Sequence, residues 1–226
     1  MDPHRLYTEK ADTYVSFASR FSHQQGITAL LLAHGLLRDG MRILDAGCGT
    51  GFATLATLDG LAHRGFTARK IDAFDLTPRM LERFEQTIRS RQLSGIELRQ
   101  ADVRRLDTLP PGWTGYDLIV SVSMLEYVPL DALPGALRAL RTRLAPGGRF
   151  VFVITRRNPI TAALIEKPWH AHRYSRPQLA DACAAAGWHD VRFAGYPARY
   201  FWLNLSNHVV IASADRSEAV AAPSQG

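Results

Sequence analysis

The stretch Ile43-Leu44-Asp45-Ala46-Gly47-Cys48-Gly49-Thr50-Gly51 constrains the fold of this chain more than any other segment. A short apolar run closes on a carboxylate, and three glycines at alternate positions then lead into a segment of helical pattern. Glycines spaced in this way let the backbone turn tightly and let a ligand approach where no Cβ stands. The helix that follows offers unpaired N–H groups at its start. A strand that turns at once into a helix is the opening unit of an α/β sheet, whose ligands sit in the crevice beyond the strand C-termini. Cys48 puts a small side chain inside the turn, where its expected role is packing.

The rest of the chain repeats the alternation. Residues 41–46, 70–75, 96–101, 116–122 and 149–155 read as strands, rich in Val, Ile, Leu and Phe and bounded by polar or glycine punctuation. Helical patterns fill 52–64, 78–91 and 131–144, the last with Leu133, Leu137, Leu140 and Leu144 on one face. Pro146-Gly147-Gly148 then turns the chain into the next strand. Ser175 and Gln178 form a capping box for a helix that stops at Gly187, and 189–195 and 207–213 read as two last strands. Such alternation predicts an α/β fold: a doubly wound, mostly parallel sheet with helices on both faces. The expected organisation is an N-terminal helical cap over 1–40, one ligand-binding domain over 41–214 with a substrate-side insert at 156–175, and a disordered tail from 215 to 226.

Composition narrows the classes. A chain of 226 residues fits one domain with a full core. The net charge of +6 raises nucleic acid as a partner, but the arginines are scattered, with adjacent pairs only at Arg104–Arg105 and Arg156–Arg157. A small molecule is therefore preferred, and nucleic acid ranks behind it. Cys48 and Cys183 stand far apart, which speaks against a zinc or disulfide framework. No apolar run approaches the ~20 residues of a membrane span, and the N-terminus lacks the order of a secretory signal; the cytoplasm is the expected location.

A dinucleotide loop would place its third glycine at position 52, where this chain has Phe52. One βα unit further on, the strand 70–75 ends in Asp75, followed by Leu76-Thr77-Pro78-Arg79-Met80. By itself Asp75 is a strand-end polar residue; beside the glycine loop, its two oxygens are placed to accept both hydroxyls of a ribose. Thr77 suits an N-cap and Pro78 the first helical turn. Two more segments follow in order: Gln100-Ala101-Asp102-Val103, and the run from Tyr116 to Pro129 that contains Ser121, Glu126 and Tyr127.

These four segments, spread over residues 41–155, resemble the ordered motifs of class I, Rossmann-like S-adenosylmethionine-dependent methyltransferases of the small-molecule type. The resemblance implies a seven-stranded sheet whose last strand runs antiparallel beside the fifth. It implies S-adenosylmethionine as cofactor and S-adenosylhomocysteine as product. It places Asp45, Gly47, Cys48, Gly49 and Gly51 at the cofactor loop, Asp75 on the ribose, and Leu76 and Met80 against the adenine. Asp102 would accept from the adenine amino group, with the next backbone N–H, that of Val103, facing a ring nitrogen, and Ser121 is also placed at the cofactor. Two alternatives stay open: methylation of RNA or protein, and a cofactor-binding partner subunit without catalysis.

The acceptor side should come from outside those motifs. Tyr14 in the N-terminal stretch, Glu126 and Tyr127 after the fourth strand, and Arg156, Trp169 and Tyr174 in the insert are the candidates, with Tyr200 between the last strands. Arg156–Arg157 is either a solvated pair or a site for a substrate carboxylate or phosphate. A sulfonium methyl moves by in-line displacement, and a hydroxyl acceptor more often needs a general base than an amine does. His170 or His172 is the candidate base for an O-methylation. Two histidines at this spacing lack the further ligands that a metal would require.

Overall fold

A computed structural model describes residues 23–156, 172 and 174–214. Seven strands form one sheet: β1 (Met41–Ala46), β2 (Ala68–Asp75), β3 (Ile96–Gln100), β4 (Tyr116–Val122), β5 (Leu144–Thr155), β6 (Asp190–Ala194) and β7 (Asn207–Ser213). Their order is β3-β2-β1-β4-β5-β7-β6. The first five are parallel, and β7 runs antiparallel between β5 and β6. The doubly wound, mostly parallel sheet and the reversed last strand are both as the sequence led us to expect.

The helices are α1 (His23–Ala33), α2 (Phe52–His63), α3 (Pro78–Ser90), α4 (Leu133–Arg141), α5 (Arg176–Ala185) and the one-turn α6 (Leu203–Ser206). On one face α4 and α5 cover β4, β5 and β7, with Phe150 stacked on Trp188 at 5.4 Å. The opposite face holds α1 and α2 with Ile43, Leu118, Val151 and Ile211. Ile27, Leu30 and Leu31 of α1 are buried in that core, which builds residues 23–33 into the domain rather than into a separate cap. Burying a Leu or Ile of this kind stabilises by roughly 1.5–3 kcal/mol. Positions 1–22 and 215–226, expected as cap and tail, lie outside the described residues, as does most of the insert.

Local signals carried most boundaries. The capping box forms, with the Ser175 and Gln178 side chains each bonded to the other's backbone N–H, and Gly187 follows at φ +82°. The helix expected over 131–144 is shorter, because Leu144 leaves the leucine face and pairs with Tyr116 as the first residue of β5. Thr77 stands at the N-cap of α3, but its side chain makes no capping bond. Asp75 accepts the Thr77 N–H instead. Strand order reverses between β1 and β4, and a crevice opens beyond their C-terminal ends.

Candidate functional site

A cleft of about 450 Å³ occupies that crevice, lined by the glycine loop, the ends of β2 and β4, the turn after β3, and His172. Its first half is a backbone structure pinned from the neighbouring strand. The N–H groups of Gly47 and Cys48 donate to the Phe74 carbonyl at 2.8 and 2.9 Å. Gly49 N–H donates to Asp75 Oδ2 at 2.8 Å, and Thr77 N–H to Asp75 Oδ1 at 2.8 Å. One carboxylate thus fixes the loop and the start of α3 together. A carboxylate oxygen can accept more than one hydrogen bond, which is the chemistry that a pair of ribose hydroxyls calls for.

The three glycines serve different ends. A Cβ on Gly47 would stand 2.2 Å from Met124 Cγ, and one on Gly51 would stand 2.1 Å from the Phe84 ring. At Gly49, φ is +52° and nothing lies within 4 Å of a Cβ position. Gly47 and Gly51 are packing requirements; Gly49 faces space that the fold itself leaves unfilled. The space beside Asp75, walled by Leu76, Met80 and Val103, fits a nucleoside whose base lies flat between apolar side chains.

Asp45, expected at the cofactor, is fully buried and turned toward α2, where Thr54 Oγ1 donates to its Oδ2 at 2.6 Å. Its Oδ1 is buried without a hydrogen-bond partner. Burial pushes the carboxyl up from 3.8 to about 7, against the pull of the Thr54 bonds. Cys48 lines the cleft, and burial holds its thiol well above the usual range. Asp102 lines it too, but both carboxylate oxygens take hydrogen bonds from the Arg104 side chain, and Arg104 N–H adds another at 2.9 Å. Partial burial works to raise this carboxyl, and the Arg104 bonds outweigh it, leaving the group below the ordinary value. Ser121 is a correction: its hydroxyl is buried without a partner, away from the cleft, and Ser123 at φ +56° takes the lining position.

The second half of the cleft is Val122, Ser123, Met124, Tyr127, Val128, Pro129 and His172. Tyr127 and His172, both expected on the acceptor side, line this half. Four other expected acceptor residues are committed elsewhere. Glu126 is buried, and its Oε2 accepts from Thr155 N–H at 2.9 Å and Thr155 Oγ1 at 2.7 Å. Tyr174 is buried with its hydroxyl donating to the Val128 carbonyl. Tyr200 packs in the core on the α1 face, with the Arg199 guanidinium 4.9 Å from its ring centre. The Arg156 guanidinium donates to the Asn204 carbonyl and does not line the cleft. Tyr14, Trp169 and His170 lie outside the described residues. Sequence reasoning missed Phe52, Val122, Ser123, Met124 and Arg104 as lining residues. Phe52, directly after the loop, carried a usable signal by position; the others did not.

Strand order, glycine loop and ribose-type carboxylate at the switch point define a nucleoside-binding domain of the methyltransferase type. Residues 43–148 match the family model described as a methyltransferase domain. The chain is 30% identical over 169 residues to a ubiquinone biosynthesis O-methyltransferase of Acinetobacter baylyi, covering 69% of this chain and 63% of that protein. It is 33% identical over 110 residues to a malonyl-[acyl-carrier protein] O-methyltransferase of Halalkalibacterium halodurans, covering 49% and 37%. The chain thus spans less than two thirds of either relative. The fold is shared with phosphoethanolamine-type N-methyltransferase 2 of Haemonchus contortus, at TM-score 0.71 and 12% identity, over 94% of this chain and 59% of that one. The family match, these relatives and the shared fold together support a class I S-adenosylmethionine-dependent methyltransferase.

Proposed function

We propose that this protein transfers a methyl group from S-adenosylmethionine to an oxygen nucleophile of a small molecule. The observation that carries the reading is the placement of His172 in the wall of the same cleft as Gly49 and Asp75. When bound, the cofactor supplies an electrophilic methyl on a sulfonium. Asp75 would hold the ribose, and Leu76, Met80 and Val103 the adenine. His172 accepts the proton of an acceptor hydroxyl, and Tyr127, which lines the same cleft, orients that hydroxyl. The enzyme's main contribution is alignment of the two reactants, worth several kcal/mol without a covalent step.

Two observations support an uncharged or weakly charged small molecule over RNA. The described acceptor half of the cleft is mostly apolar, with Ser123, Tyr127 and His172 as its polar side chains. Five of the arginines, Arg42, Arg138, Arg141, Arg143 and Arg156, also each donate to a main-chain carbonyl of the domain itself. Among the described residues no helix is long and apolar enough to cross a membrane. The relatives named as O-methyltransferases favour oxygen as the acceptor atom. A mass-spectrometric screen for a one-methyl mass gain, with phenols, carboxylic acids and amines as acceptors, tests the reading. Gain on hydroxyl or carboxyl acceptors supports it; gain confined to amines, or to RNA, overturns it.

A further inference from the structure

Glu126 is a buried carboxylate in the turn after β4 and is not among the residues that line the cleft. Its side chain and its main chain point to two places that are distant in sequence. Through Oε2 it accepts both the N–H and the hydroxyl of Thr155, the last residue of β5. Through its carbonyl it accepts the N–H of His172 at 2.7 Å. The chain leaves β5 at Thr155 and reaches the cleft wall again at His172, so one residue anchors both the departure and the return. Around it, Arg156 and Tyr174 form an isolated parallel bridge, and the Tyr174 hydroxyl donates to the Val128 carbonyl. Tyr127, the other polar side chain of the acceptor wall near His172, is the next residue along.

We propose that Glu126 is the positioning residue of the acceptor side: it sets where His172 and Tyr127 stand in the cleft by clasping the end of β5 and the His172 backbone to the turn after β4. The inference rests on the proposed function for the meaning of that wall, and on the hydrogen bonds for the clasp itself. A carboxylate fully removed from water is costly unless bonded, and burial does push this carboxyl above its usual range despite the Thr155 bonds. Two donors converging on one oxygen offset part of that cost. The loop side of the cleft shares none of these bonds, so loosening the clasp should leave cofactor affinity alone.

The test compares wild type, Glu126→Ala, Glu126→Gln and Thr155→Val by amide exchange, by the His172 imidazole resonance, and by calorimetry with S-adenosylhomocysteine. Glu126→Ala should speed exchange by about tenfold or more at the Thr155 amide, whose carboxylate acceptor is lost, and at the His172 amide, because the turn that presents the Glu126 carbonyl loosens. The β1 amides Ile43 and Leu44 should exchange as before, the His172 resonance should shift, and the Kd should stay within about twofold. Glu126→Gln keeps an acceptor oxygen at the same place and should restore both the exchange and the resonance. Thr155→Val removes one of the two donors and should give an intermediate effect; it also stands in if Glu126→Ala does not fold. An unchanged His172 amide and resonance in Glu126→Ala and Thr155→Val overturn the proposal. So does an equal rise in exchange at β1, which marks general destabilisation. Failure of the wild type to bind S-adenosylhomocysteine would instead strike the functional reading, since the exchange comparison needs no ligand.

Discussion

The two halves of the cleft are built on opposite plans. Beyond β1 and β2 the site is made of backbone, with main-chain N–H groups and one carboxylate, Asp75, holding a glycine loop in place. Beyond β4 and β5 side chains make the wall, and buried polar groups behind it, Glu126 and Tyr174, bond to Thr155 and to the Val128 carbonyl. The loop half needs few residue identities but tolerates almost no added atoms. The wall half tolerates changes of surface and depends on a buried scaffold. This difference teaches why one plan can hold a constant ligand while the other varies with the acceptor.

The largest expected effect is on the loop half. Gly49→Val puts a branched side chain into the cleft at φ +52°, and S-adenosylhomocysteine binding by calorimetry should be lost. The fold should survive at a cost of about 1–2 kcal/mol in a denaturant melt, since the new Cβ meets nothing. Normal affinity in that variant would break the comparison at its root. On the wall half, His172→Gln should lower methyl transfer by about a hundredfold or more while leaving cofactor affinity within about twofold. A parallel loss of cofactor affinity would mean that the halves are not separable.

The smallest effect sharpens the boundary between site and core. Asp45 is raised from 3.8 to about 7 by burial, so the native state holds a proton there that the unfolded chain releases. Its favourable contribution is present below about pH 4 and is lost as pH rises through about 7. Asp45→Asn cannot ionise, and its melting midpoint should gain on the wild type between about pH 5 and about pH 8, by an amount on the order of 2 kcal/mol. Parallel curves for the two proteins would show that Asp45 does not titrate in that window.

What the sequence revealed divides along the same line. The glycine loop and Asp75 were legible because their chemistry is local: three glycines in one turn, and a carboxylate at one strand end. The sheet was legible because strand and helix periodicities alternate without interruption, and the reversed last strand came from the family resemblance. Glu126 and Tyr174 read as site residues because a polar group near a strand end usually faces water or ligand. Their actual partners, Thr155 and the Val128 carbonyl, are 29 and 46 residues away in the chain, and no local pattern encodes them. Ser121 misled for a geometric reason: β4 ends at Val122, and the left-handed turn at Ser123 hands the lining position two residues on. Tyr200 sits on the core face opposite α4 and α5, a choice of side that depends on how the last two strands pair.

The central claim is that Asp75 joins the glycine loop to a nucleoside ligand in this cleft. Calorimetric titration of S-adenosylhomocysteine into wild type and Asp75→Ala tests it most directly. The account predicts one site in the wild type and a loss of about a hundredfold or more in the variant, because two charge-assisted hydrogen bonds to the ligand disappear and the loop loses its tether at Gly49. Equal affinity in the two proteins, with both folded, would contradict it.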